Sequence, residues 1–204
     1  METYPLKSNR REPGFTLMET MIAIVILSVG MLSLAALMSK MTGSTEQSRY
    51  MSMAALLASE KLEDLNRVSA VDPEIAVNSG TSVGSLTTDI GNQSVTVGAS
   101  TEIVDYFDTV MISTGNGSIA ETTLGKDGSG NTTYTTTTHQ PDGTVTSATS
   151  TTKPNGTPDT LQFRRRWVIE KDSPVTGVRR ITVAVLLQSP AGVPVNFQMS
   201  MVRP

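Results

Sequence analysis

The chain has 204 residues with 16 Lys and Arg against 19 Asp and Glu, a net charge of −3. This mild acidity argues against a nucleic-acid partner, which calls for a basic excess. Without any cysteine, a disulfide framework and a thiolate metal site are both excluded. His139 is the single histidine, too little for a zinc site or a histidine dyad. No cofactor is implied, and composition favours a structural or binding role over an enzyme.

Residues 1–14 (METYPLKSNRREPG) form a polar leader with Lys7, Arg10 and Arg11. Residues 15–38 follow as an apolar run, uncharged from Thr20 onward. As a helix this run spans about 36 Å, enough for a hydrocarbon core of roughly 30 Å, and it reads as one transmembrane helix. Residues 39–70 continue it as an amphipathic half. Met51, Ala54, Ala55, Ala58, Leu62, Leu65 and Val68 recur at three- and four-residue spacings, with Glu60, Lys61, Glu63, Asp64 and Arg67 mostly around them. The helix is expected to run to residue 68, and Asp72-Pro73 closes it, since the residue before proline is pushed out of the α region.

Residues 71–120 read as loop and short strands, at 93–97 and 103–113, where β-branched residues gather. Residues 121–160 are low-complexity. Fifteen of these forty are threonine and the large apolar residues are Leu124, Tyr134 and Val145, so the segment cannot bury a core of its own. A hairpin is expected, floppy or packed at an edge, turning at Pro141-Asp142-Gly143. Residues 161–204 read as three antiparallel strands, 161–170, 178–188 and 193–202. They are broken at Ser173-Pro174 with Gly177, and at Pro190 with Gly192. The alternations Phe163, Arg165, Trp167, Ile169 and Ile181, Val183, Val185, Leu187 give each of the first two strands an apolar side to lay on the helix. The expected class is α+β.

Chemistry concentrates where leader meets helix, at Gly14-Phe15-Thr16-Leu17-Met18-Glu19. Basic residues ahead of a span hold that end in the cytoplasm, which places the bulk of the chain outside. A secretory signal has a short apolar core followed by small residues. Here the small residue precedes a long run, so cleavage should fall on the cytoplasmic side and leave the helix on the mature chain. A carboxylate at Glu19, inside an apolar span, costs ~2.5–3.5 kcal/mol or less near the interface, and so points to a partner. Cutting after Gly14 would leave an α-amine on Phe15, which Glu19 of a neighbouring subunit could neutralise.

These residues resemble the type III signal of type IV pilins and type II secretion pseudopilins. The resemblance implies cleavage between Gly14 and Phe15 and N-methylation of Phe15 by a prepilin peptidase. It also implies Glu19 as the assembly carboxylate, and a long helix packed with those of other pilins. Residues 54–63 (AALLASEKLE), and the aromatic-basic strand answered by a β-branched one, are similar to PilV-like minor pilins and minor pseudopilins. The expected function is a minor pilin-like subunit that initiates or caps a type IV pilus. The alternatives are a secretion pseudopilin, or a pilus-associated adhesin or DNA-uptake surface. The expected location is the bacterial inner membrane, single-pass with a periplasmic head, and then the pilus.

Other signals are weaker. Gly80-Thr81-Ser82-Val83-Gly84 matches G-x-S-x-G but lacks the strand–turn–helix setting of a nucleophile. The glycines of residues 125–130 lack phosphate-loop spacing and read as a turn. Asp127, Ser129 and Asn131 alternate as calcium ligands do, without the downstream glutamate. Asn92, Asn116, Asn131 and Asn155 head N-x-[ST] triplets that follow from composition. Arg164-Arg165-Arg166 and Arg179-Arg180 are the basic concentration of the head. They are read as facing water or acids of adjacent subunits, with DNA phosphate as the lesser option.

Overall fold

The computed structural model describes residues 14–157, 159–189 and 195–204. Among these described residues one helix, α1 (Leu17–Arg67), is followed by ten strands. These are β1 (Ser82–Gly84), β2 (Gln93–Val97), β3 (Ser100–Val104), β4 (Phe107–Ser113), β5 (Ile119–Lys126), β6 (Thr132–His139), β7 (Val145–Ser150), β8 (Thr160–Lys171), β9 (Arg179–Ser189) and β10 (Asn196–Arg203). The α+β class and the pilin-like layout, with a long N-terminal apolar helix and a C-terminal antiparallel sheet, are as expected. The chain divides into two compact units, Met1–Thr45 and Glu46–Pro204, and α1 contributes to both.

In the second unit the main sheet runs β10-β9-β8-β4-β5-β6-β7, with β1 also paired to β8, and every pairing is antiparallel. A separate ribbon joins β2 to β3. From the helix, Ala54, Leu57, Ala58, Leu62 and Leu65 are buried against sheet residues such as Val110, Phe163, Trp167 and Val183. The predicted stripe holds, with Leu57 added to it. Each fully buried large aliphatic or aromatic side chain contributes ~1.5–3 kcal/mol.

α1 stops at Arg67, ahead of Asp72-Pro73. Arg203 ends the helix by another route. Its Nη1 donates to the carbonyls of Leu65 (3.0 Å), Asn66 (3.3 Å) and Val68 (2.8 Å). A cation on the last free carbonyls also complements the negative end of the helix dipole.

The strand expected over 103–113 is two strands, interrupted at Asp105-Tyr106. Asp105 accepts the backbone N–H groups of Asn92 (2.6 Å) and Leu124 (3.0 Å), tying the ribbon to β5. Burial, opposed by those bonds, holds its carboxyl above the ordinary value. The threonine-rich segment is more ordered than a floppy hairpin. It supplies the end of β5 and all of β6 and β7, and the turn at Pro141-Asp142-Gly143 falls between β6 and β7 as expected. There the Gln140 N–H reaches the Thr144 carbonyl (2.9 Å), and Gly143 takes the positive φ of 86° that favours glycine. The last three strands match the expected meander, although Pro190 and Gly192 lie outside the described residues.

The arginines were misread. Arg165 does not face water. It stands on the helix side of β8, only 1% exposed, and grips Asp108 of β4 through Nε and Nη2, both at 2.8 Å. Nη2 also reaches Glu121 of β5 (3.1 Å), and Nη1 lies 3.6 Å from Glu60 of α1. Lys61 of α1 approaches Asp108 (3.8 Å) and caps the Trp167 ring at 4.3 Å. On the opposite face Arg164 and Arg166 share Asp89, at 2.6 and 2.7 Å. Arg180 pairs with Glu170, and Arg179 donates to the Ala70 carbonyl. These guanidinium groups answer acids and a carbonyl of their own chain, which removes the basis for reading them as a phosphate-binding patch.

Removing one partner of a buried pair strands the other. Arg165→Met should destabilise the head by ~3–5 kcal/mol, whereas Arg165→Met with Asp108→Leu should recover most of the loss. Urea unfolding of the full chain in detergent micelles, followed by Trp167 fluorescence, measures both.

Candidate processing and assembly site

Helix α1 begins with a reciprocal cap. The Glu19 N–H donates to Thr16 Oγ1 (3.2 Å). Glu19 Oε2 in turn accepts the Thr16 N–H and the Thr16 hydroxyl, both at 3.2 Å. Two N–H groups that a helix start leaves without carbonyl partners are thereby satisfied. A carboxylate in the first turn also suits the positive end of the helix dipole. Both bonds fall on Oε2, and among the described residues Oε1 has no hydrogen-bond donor.

From that cap onward the helix surface is uncovered. Phe15 is 86% exposed and Leu17 80%, and the large apolar side chains through Met41 are all more than half exposed. None of the most apolar window of α1 is buried. The hydroxyls in this stretch are turned inward. Thr20, Ser28 and Ser33 donate to the carbonyls of Thr16, Ile24 and Val29 at 2.7–2.9 Å. Backbone and hydroxyl polarity is thus satisfied within the helix, as lipid demands. Glu19 remains the only charged side chain between Phe15 and Met38.

Gly14 is exposed, and among the described residues a Cβ built there would meet nothing within 4 Å. Open space of this kind places a small residue and an accessible peptide bond immediately before Phe15. Lys7, Arg10 and Arg11 lie outside the described residues. The sequence reading singled out Gly14, Phe15 and Glu19 but overlooked Thr16. The signal was present, because Thr16-x-x-Glu19 before an apolar run is a capping-box pattern.

The weaker candidates do not assemble into sites. Ser82 lies on β1 and His139 on β6, separated in the sheet by β8, β4 and β5. Gly84 is a glycine for packing: its φ is +83°, and a Cβ would stand 2.2 Å from the Trp167 carbonyl oxygen. Asp127 spends its carboxylate on the N–H groups of Ser129 and Asn131 and on the Asn131 side chain, as a turn does. Among the described residues no cluster of His, Asp and Glu could hold a metal ion.

Residues 9–35 match the prokaryotic N-terminal methylation motif. This is the prepilin-type motif, and it supports a type IV pilin-like protein, a pilin- or pseudopilin-type substrate of prepilin peptidase. Motif and apolar helix together fit a membrane-anchored single-pass protein. No curated protein and no solved structure matches the chain.

Thr16→Val keeps the shape of the side chain and removes the capping oxygen. It should cost the helix start ~1 kcal/mol, seen as amide exchange about fivefold faster over residues 17–20 in detergent micelles.

Proposed function

We propose that this chain is a minor pilin-like structural subunit that initiates or caps a type IV pilus. Its leader is cytoplasmic, held there by Lys7, Arg10 and Arg11, and its head is periplasmic. Prepilin peptidase cuts between Gly14 and Phe15 and methylates the new amine of Phe15. Membrane lipid covers the first half of α1 until other pilins replace it.

One observation supports this reading: the long uncovered apolar stretch of the helix, residues 15–38, bears a single carboxylate, placed at the first turn. Such a surface requires either lipid or a bundle of similar helices. At the first turn Glu19 lies one turn from the cleavage point, and its free Oε1 can receive the α-amine of a neighbour entering the same apolar layer. A secretion pseudopilus would use the same parts. The head has its own buried core and an internally paired set of charges, which supports a scaffold role over an adhesive or DNA-binding one.

The mature chain should begin at Phe15 carrying one added methyl group, which N-terminal mass analysis of membrane fractions reads directly. A start at Met1, or at any residue beyond 38, defeats the processing scheme.

Glu19→Val separates processing from assembly. Membrane insertion should be equal or better by up to a few kcal/mol, because the costly acid is gone. Cleavage after Gly14 should persist. Incorporation into sheared surface filaments should fall sharply, since an uncompensated buried charge costs ~3–5 kcal/mol. Glu19→Gln should be intermediate. Recovery of Glu19→Val in filaments at the parent level would remove the carboxylate from the mechanism, and its recovery only with secretion machinery would favour the pseudopilus.

A further inference from the structure

Strand β1 has one neighbour, β8, and β2 has one neighbour, β3. Between them lies a cleft of about 320 Å³, walled by residues 82–84 on one side and 93–95 on the other. At one end Asn78 Nδ2 donates to the Thr96 carbonyl. At the other, Tyr106 gives its N–H to Ile90 O (2.8 Å) and receives Trp167 N–H on its carbonyl (3.0 Å).

Main-chain direction in both walls follows from these bonds. The Lys171 N–H reaches Thr81 O (2.8 Å), so Thr81 is bonded to β8. Bonding alternates along an antiparallel edge, so Val83 repeats it while Ser82 turns its N–H and C=O, and Gly84 its N–H, away from β8. Thr96 turns its carbonyl away from β3 to meet Asn78, and Ser94, two residues back, does the same. Each wall therefore offers unpaired main-chain donors and acceptors.

The lining has no charged side chain. Ala76, Val83, Ile90 and Val95 make its apolar part. Tyr106, 2% exposed, lines it as well, and its buried hydroxyl has no partner among the described residues. Asn78 and Gln93 commit their NH2 groups to backbone carbonyls, and among the described residues their own amide oxygens take no donor.

We infer that this cleft binds an extended, uncharged peptide segment of a partner protein, which adds as a strand between β1 and β2. Main-chain pairing on both sides supplies the affinity, as in other strand additions. One side chain of the segment enters the apolar part, and a polar atom of the segment meets the Tyr106 hydroxyl. A carboxylate or ammonium would lose its water there with no opposite charge to receive it.

The test uses the full chain, isotope-labelled and held in detergent micelles, titrated with the pentapeptide acetyl-Thr-Val-Ser-Val-Thr-amide. Saturable amide shifts and slowed exchange are expected at Ser82, Gly84 and Ser94, with acetyl-Asp-Val-Asp-Val-Asp-amide binding roughly tenfold more weakly. Ser94→Pro removes one outward N–H and leaves the β2–β3 bonds in place, and should weaken binding by about tenfold. Tyr106→Phe should weaken binding while keeping or raising the unfolding midpoint, because it deletes an orphan hydroxyl. It therefore tests the site even if the proline disturbs the ribbon. The proposal is overturned if the neutral peptide shifts none of these amides, or if the acidic peptide binds as well.

Discussion

The head is organised around Arg165. Its guanidinium sits where α1, β4, β5 and β8 meet, and each of these elements sends an acid to it or carries it. Burial alone would drive such a group toward its neutral form. Asp108, Glu121 and Glu60 more than offset that, and hold it charged above its ordinary pKa. The consequence is geometric. A bidentate Arg–carboxylate pair fixes distance and plane together, so β4 and β8 are locked in one register at Asp108 and Arg165. Glu60 and Lys61 then set the helix on that sheet in a single rotational position. Apolar packing in the core that holds Leu57 and Phe163 is non-directional and would tolerate a slip that this network does not.

That arrangement leaves Glu60 in an unfavourable position. Partial burial raises its pKa, and the attraction of Arg165 does not compensate, since Glu121, Asp64 and Asp108 crowd the same region. An acid whose folded pKa is raised penalises the folded state above that pKa. The penalty disappears as pH falls through the folded value toward the ordinary 4.5. The Glu60 contribution to stability therefore improves in mild acid, and Asp105, also raised by burial, acts in the same direction.

Most of the α1 side of the fold was legible because periodicity and hydropathy are local. The apolar run, the stripe at residues 51–68 and the last three strands all follow from spacing. Arg165 stood in plain view between Phe163 and Trp167 on the alternating face, yet its partner Asp108 is 57 residues away, and no local pattern announces that pair. The threonine segment was legible in part: the edge-packed hairpin and its turn were expected, whereas its order was left open, because few apolar residues mark it and β5, β6 and β7 are held mainly by the ladder and by hydroxyl pairs. Thr122 meets Thr136 and Thr135 meets Thr149, both at 3.0 Å. β-branched residues suit a pleated surface even when it stays wet. At the processing site the motif was readable outright, whereas Thr16 was missed because the argument about Glu19 looked outward to a neighbour and not back along its own helix.

The capping role of Glu19 leaves room for the proposed assembly role, because the cap falls on one carboxylate oxygen. In the single chain Oε2 closes the helix start and so gives this polar group a local partner in an apolar stretch. Oε1 stays available for a second charge. An acid that were fully satisfied would gain little from a neighbour, and one with no local partner would be too costly to hold in lipid. The half-satisfied carboxylate lies between these limits. Its large apolar neighbours from residue 17 to residue 41 take no part in the buried core of the head.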